Sequence, residues 1–167
     1  MTTAPATEER LLEDTQALLR MLAQGGTMGG LFGLDEHELD AMYAFGLGFY
    51  QQARYGDAAK VFGLLVTMKH GEPRFLNAYA ATFQVLGRYE QAIHYYGVSQ
   101  LLDPADPVPT FHTAECMVAL GWLDDARDAL SLVIRQSEEK SAQFGTLLSR
   151  ARALAELVQS KLNQVKG

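Results

Sequence analysis

A single cysteine, Cys116, stands in a chain of 167 residues. It has no partner for an internal disulfide, and no C-x-x-C metal or redox site can be built. That pattern suits a reducing compartment, so the cytoplasm is the expected location. Basic excess is also missing. Fourteen Lys and Arg face twenty Asp and Glu, a formal charge of −6. A nucleic-acid partner gripped through its phosphates is therefore not expected, and neither is attraction to an anionic membrane surface. Long apolar runs are absent too. The longest apolar-rich stretch, around Val61 to Met68, is far shorter than the roughly 20 residues that span a bilayer, so direct membrane insertion is not expected. The opening MTTAPATEER has no basic start and no apolar h-region, and is not read as a signal peptide. What is present is apolar content: 48% of residues are hydrophobic. That suffices for one compact domain or one short repeat array.

The array reading is carried by a fixed interval. QARYGDAAKVF, LGRYEQAIHYY and LGWLDDARDAL recur 34 residues apart. Aligned at that period, Ala58, Ala92 and Ala126 share a column, followed four residues on by Phe62, Tyr96 and Leu130. Gly46, Ala80 and Ala114 form a small-residue column, and Phe49, Phe83 and Met117 a large one three residues later. Tyr55, Tyr89 and Leu123 make a fifth. Antiparallel helices approach closely only where one side chain is small, and large neighbours fill the flanking grooves. This is the tetratricopeptide pattern, a 34-residue helix–turn–helix. The expected fold is all-α: three repeats at about 39–72, 73–106 and 107–140, within a repeat region of 35–140. Pro73 and Pro107 suit first helical turns, Gly87 and Gly121 punctuate the turns inside the units, and Pro104 stops the middle unit.

A solenoid needs covered ends. Phe144, Leu147, Leu148, Ala151, Leu154, Val158, Leu162 and Val165 recur at steps of three and four, predicting a single capping helix over roughly 141–164 in the segment 141–167. At the front, residues 1–7 are expected to be disordered. Residues 8–23 read as an amphipathic helix bearing Leu11, Leu12, Leu18, Leu19 and Leu22, more apolar residues than a lid requires, which suggests a meeting with a second copy. QGGTMGGLFGL, residues 24–34, holds five glycines. A continuous helix is costly there, so 8–34 is read as a helix followed by a flexible joint. With no G-x-x-x-x-G-K-[ST] spacing and no lysine, the glycines are not a phosphate loop. No cofactor is expected.

Catalytic and metal readings find little to stand on. In DEHELD, residues 35–40, His37 would need a second histidine at Ala41 for a zinc-protease helix. Asp35 with Glu38 instead suits a capping box. His112 and Cys116 are four apart on one helix, a spacing that permits a thiol–imidazole pair. Cys116, however, falls between two core columns, where a small buried cysteine is ordinary. No metal site and no catalytic residues are assigned, and the chain is read as a non-enzyme.

Arrays of this kind present the first helix of each unit on a concave face. Counting along those helices assigns Tyr43, Leu47 and Tyr50 to it in the first unit, Asn77, Ala81 and Gln84 in the second, and Phe111, Glu115 and Val118 in the third. Spacings of three and four put each trio on one face. The lining is apolar at one end and polar at the centre, and lacks the Lys, Arg and Asn set of a carboxylate clamp. An extended peptide with spaced apolar side chains is the better ligand. The alternative is that Tyr43 and Tyr50 are simply core.

GGTMGGLFGLDEHELDAMYAFGLGFYQQARYGDAAKVF, residues 25–62, and PTFHTAEC, residues 109–116, resemble the class II chaperones of bacterial type III secretion. The likeness extends over about 20–140. Gly29, Gly30 and Gly33 exceed the family's usual glycine content, and Leu47 stands where an aromatic is common. The resemblance implies a cytoplasmic protein that holds hydrophobic translocator proteins soluble for export, through an extended Pro-x-Leu-x-x-Pro-like segment lying on the concave face. It also implies a homodimer. The alternative is a scaffold or regulatory adaptor using the same groove for a soluble partner.

Overall fold

The computed structural model describes residues 26–166 together with Gln16 and Arg20. The expected tail at 1–7, most of the expected helix at 8–23 and the Val165 side chain lie outside the described residues. Within them the chain is a succession of helices; the short first one packs on the third, and from the second onward each packs on the next. They are α1 (Met28–Leu31), α2 (Glu36–Gln51), α3 (Tyr55–Met68), α4 (Pro73–Val85), α5 (Tyr89–Leu102), α6 (Val108–Leu120), α7 (Leu123–Glu139) and α8 (Ser141–Lys166). The pairs α2–α3, α4–α5 and α6–α7 are three helical hairpins, and α8 closes the last against α7.

Local chemistry sets the helix ends. Asp35 and Glu38 form the full capping box of α2: the Glu38 amide donates to Asp35 Oδ1 at 2.8 Å, and the Asp35 amide to Glu38 Oε2 at 2.9 Å. Pro73 opens α4 in its first turn, where no amide is missed. In the glycine-rich stretch, where a joint is expected, the structure has one helical turn, α1. Thr27 Oγ1 caps it by accepting from the Gly30 amide at 3.1 Å, and Gly29 lies against the Met68 backbone. The capping helix also differs from a single rod. Phe144 leaves helical geometry, with φ −114° and ψ 20°, and kinks α8 near its start.

The three turns inside the hairpins are built alike. Each first helix ends with a pair of amide-to-carbonyl bonds: Ala53 to Tyr50 and Arg54 to Phe49, Gly87 to Gln84 and Arg88 to Phe83, Gly121 to Val118 and Trp122 to Met117. This is the Schellman closure, which needs a left-handed residue just past the helix. Gly87 and Gly121 supply it at φ 72° and 78°, but the first repeat has Ala53 at φ 58°. An L-residue there is strained by about 1–2 kcal/mol, part of which a glycine returns as unfolded-chain entropy. Ala53→Gly is expected to raise stability by about 0.5–1 kcal/mol, read as a higher urea midpoint with an unchanged m-value.

The repeat columns are the core. Ala58, Ala92 and Ala126 are fully buried, as are Phe62 and Leu130, with Tyr96 close behind. Gly46 shows why its column must be small: a Cβ there would lie 2.7 Å from Cε1 of Phe62. Phe62 is itself 0% exposed and belongs to the first-repeat core, so its ring can yield only by disturbing that packing. Gly46→Ala gains about 1 kcal/mol of helix propensity against an overpacking cost of about 1–3 kcal/mol. The clash should win, and the variant should melt below the parent.

Candidate functional site

The first helices of the hairpins, α2, α4 and α6, carry the residues assigned to the concave face. Tyr43, Leu47 and Tyr50 on α2 meet Ala78 and Ala81 on α4 and the Phe62 ring on α3 around an apolar cavity of about 160 Å³. Its walls are held by aromatic contacts. The Tyr43 ring centroid lies 5.7 Å from those of both Phe62 and Phe75, and Tyr50 meets Tyr55 edge-on at 5.2 Å. Both tyrosines remain only half-buried. They therefore do two things at once, bracing the edge of the first-repeat core and facing the cavity.

A second, larger hollow of about 550 Å³ lies at the other end. Gln84 on α4 and Phe111, Glu115 and Val118 on α6 line it together with Arg150, Ala153, Leu154 and Leu157 of α8. Phe111 is its floor more than its wall, since its side chain is 2% exposed and belongs to the core of the third repeat. The Arg150 guanidinium sits 4.6 Å above that ring. Eight of the nine assigned residues thus line one hollow or the other. Asn77, the ninth, lines neither. Its Oδ1 is buried with no hydrogen-bond partner among the described residues. The α8 contribution is not legible in the sequence, because the apolar stripe of α8 reads as a cap on the last repeat.

Between the hollows runs a polar network. Tyr96 Oη donates to Gln84 Oε1 at 3.0 Å, and Gln84 Nε2 donates to Glu115 Oε2 at 3.1 Å. His112 Nδ1 lies 2.8 Å from that same oxygen, and Arg150 Nη2 donates to Glu115 Oε1 at 3.1 Å. Burial alone pushes the Glu115 carboxyl upward, but the hydrogen bonds from His112 and Gln84 and the nearby positive charge outweigh it and leave it below the usual carboxylate range. The polar centre read from the sequence is therefore mostly satisfied within the protein.

His112 serves Glu115 here and does not activate a thiol. Cys116 is fully buried. Burial, with the Glu115 charge nearby, pushes its thiol up to about 12, the environment of an inert structural cysteine. A thiol reagent at neutral pH should label Cys116 slowly in the folded protein and at the free-thiol rate in denaturant. His37 is exposed on α2. Among the described residues, no group of three or more His, Cys, Asp and Glu is placed to hold a metal ion, and no helix is long and apolar enough to cross a membrane.

Comparison with known proteins gives this geometry relatives. The tetratricopeptide repeat family model matches residues 39–70 and 74–106, the first two hairpins. The low calcium response locus protein H of Yersinia pestis is 32% identical over 89% of this chain and 90% of its own length. The structure of SycD, a type III secretion translocator chaperone of Yersinia enterocolitica, superposes with a TM-score of 0.74 at 32% identity, covering 79% of this chain and 98% of that one. PcrH, solved in complex with the chaperone binding region of PopD, superposes at 0.73 with 35% identity, covering 77% and 96%. At such identity over most of both lengths, likeness goes beyond shared architecture: the chain belongs to the family of type III secretion translocator chaperones.

Proposed function

We propose that this chain binds hydrophobic translocator proteins along the face lined by Tyr43, Leu47, Tyr50, Asn77, Ala81, Gln84, Phe111, Glu115 and Val118. The observation that carries the reading is the apolar cavity between α2 and α4. An apolar side chain of an extended peptide would fill it. Prolines in a Pro-x-Leu-x-x-Pro-like segment hold the peptide extended before it binds and lower its ordering cost.

The mechanism is burial. A translocator's membrane-seeking segments aggregate in water, and occupying one segment while covering its apolar neighbours keeps it soluble until export. Binding is passive, without nucleotide or catalysis, and takes place in the bacterial cytoplasm. The leucines within residues 8–23 are the contact proposed for a homodimer. The test is co-expression with a translocator from the same secretion system. The translocator should be soluble with this chain and insoluble without it. A translocator that stays soluble alone, or precipitates regardless, overturns the proposal.

A further inference from the structure

We infer that the binding face continues past the third repeat, and that the hollow between α6 and α8 takes a large apolar side chain with a neighbouring carboxylate from the same extended client segment. The inference rests on the reading of the α2–α4 cavity as the client's anchor site. Gln84, at the rim of the second hollow, is one turn of α4 beyond Ala81, which lines the first, so the two open on one continuous surface. The second hollow is apolar on Phe111, Val118, Leu154 and Leu157. Leu157 remains 49% exposed on a helix whose other outward residues are mostly polar.

Charge selects the second group. Glu115 is already engaged at both oxygens, by His112 and Gln84 on one and Arg150 on the other. Arg150 carries five N–H donors, of which one is used among the described residues, and its side chain is 53% exposed. The hollow therefore offers donors, and a carboxylate is the group that takes them in pairs. Distance sets the spacing. Neighbouring helices pack 8–10 Å apart, so the hollows, two helix spacings apart, are separated by about 16–20 Å. An extended chain covers that in about five or six residues.

Three synthetic peptides test this by titration calorimetry: a Pro-x-Leu-x-x-Pro core alone, and the core extended at one end or at the other with Asp-Leu placed so that the two leucines stand about five or six residues apart. One extended peptide should bind at least about tenfold tighter than the core, since burying a leucine outweighs an exposed ion pair. Leu157→Asp should remove that gain and leave core binding unchanged. Arg150→Gln should reduce the gain about two- to fivefold. Both positions are exposed enough to keep the fold, which a thermal melt checks. No gain in either extended peptide, or a gain untouched by Leu157→Asp, overturns the inference while sparing the anchor site. Failure of the core peptide itself to bind overturns both.

Discussion

Ala92→Leu is expected to lower the melting temperature of the whole array by about 2–12 °C. Ala92 is 0% exposed and packs in one cluster with Ala80, Phe83, Tyr96 and Cys116, where α4, α5 and α6 meet. Three added carbons have no vacant volume to enter, because the crossing is close only while this side chain is small. Overpacking of this kind costs about 1–3 kcal/mol, and for a chain of this size each kcal/mol moves the midpoint by about 2–4 °C. Position in the array amplifies the effect. Each repeat is supported only by its neighbours, so a weakened middle hairpin unties the first repeat from the third. The same substitution at Ala41, an exposed position on α2, should change the melt little. Equal melts for the two variants would mean that Ala92 does not sit at a helix crossing.

The second large effect is on binding. Tyr43→Ala combined with Tyr50→Ala should weaken the affinity for a translocator segment by at least about tenfold, since one decade corresponds to 1.4 kcal/mol and a buried aromatic anchor is commonly worth about 2 kcal/mol or more. Some stability goes with it. Tyr43 contacts Phe62 and Phe75, and Tyr50 contacts Tyr55, and such aromatic pairs are worth about 0.5–1.5 kcal/mol each. The melt should fall yet stay cooperative, and affinity should be measured well below it. Retained affinity would remove the two tyrosines from the binding face. A variant that does not fold at all would show that their bracing of the first-repeat core outweighs any role in the groove.

Repetition is what made the hairpins readable from residues. Five columns at one period place α2 through α7, because the close approach of two helices leaves a mark on every repeat: a glycine or alanine where backbones cross and a large side chain beside it. The capping box on α2 was equally readable, as Asp35 and Glu38 stand three apart at the start of a helix. Features without a repeat or a local signature were not. The local hint of the kink of α8 is Gly145, next to Phe144, and a lone glycine is tolerated within a helix and does not by itself announce a kink. The α1 turn is held by the single Thr27 cap and by Gly29 against Met68, a tertiary contact no local pattern carries. The strain at Ala53 is visible only once Gly87 and Gly121 show what the third position of that column ought to be.

For the proposed binding face, helical spacing groups the side chains by helix, and eight of the nine assigned positions border a hollow. It could not find what the neighbouring elements add. Phe62 belongs to the core column and also to the first cavity. Arg150, Leu154 and Leu157 come from a helix whose apolar stripe accounts for its packing on α7 and leaves no sign of a second duty. Nor could spacing tell that Gln84 and Glu115 satisfy each other while Asn77 Oδ1 is buried with no partner among the described residues. Those distinctions depend on which groups meet in space.

The central claim is that the client's apolar anchor lies between α2 and α4. Photo-crosslinking tests it most directly, with a benzophenone side chain replacing the leucine of a Pro-x-Leu-x-x-Pro peptide and the linked residues located by mass spectrometry. The account predicts crosslinks to α2 at Tyr43–Tyr50 and to α4 at Ala78–Ala81, lost in the presence of excess unlabelled peptide. Crosslinks that fall instead on the outer faces of α3, α5 or α7, with equal sensitivity to competition, would contradict it.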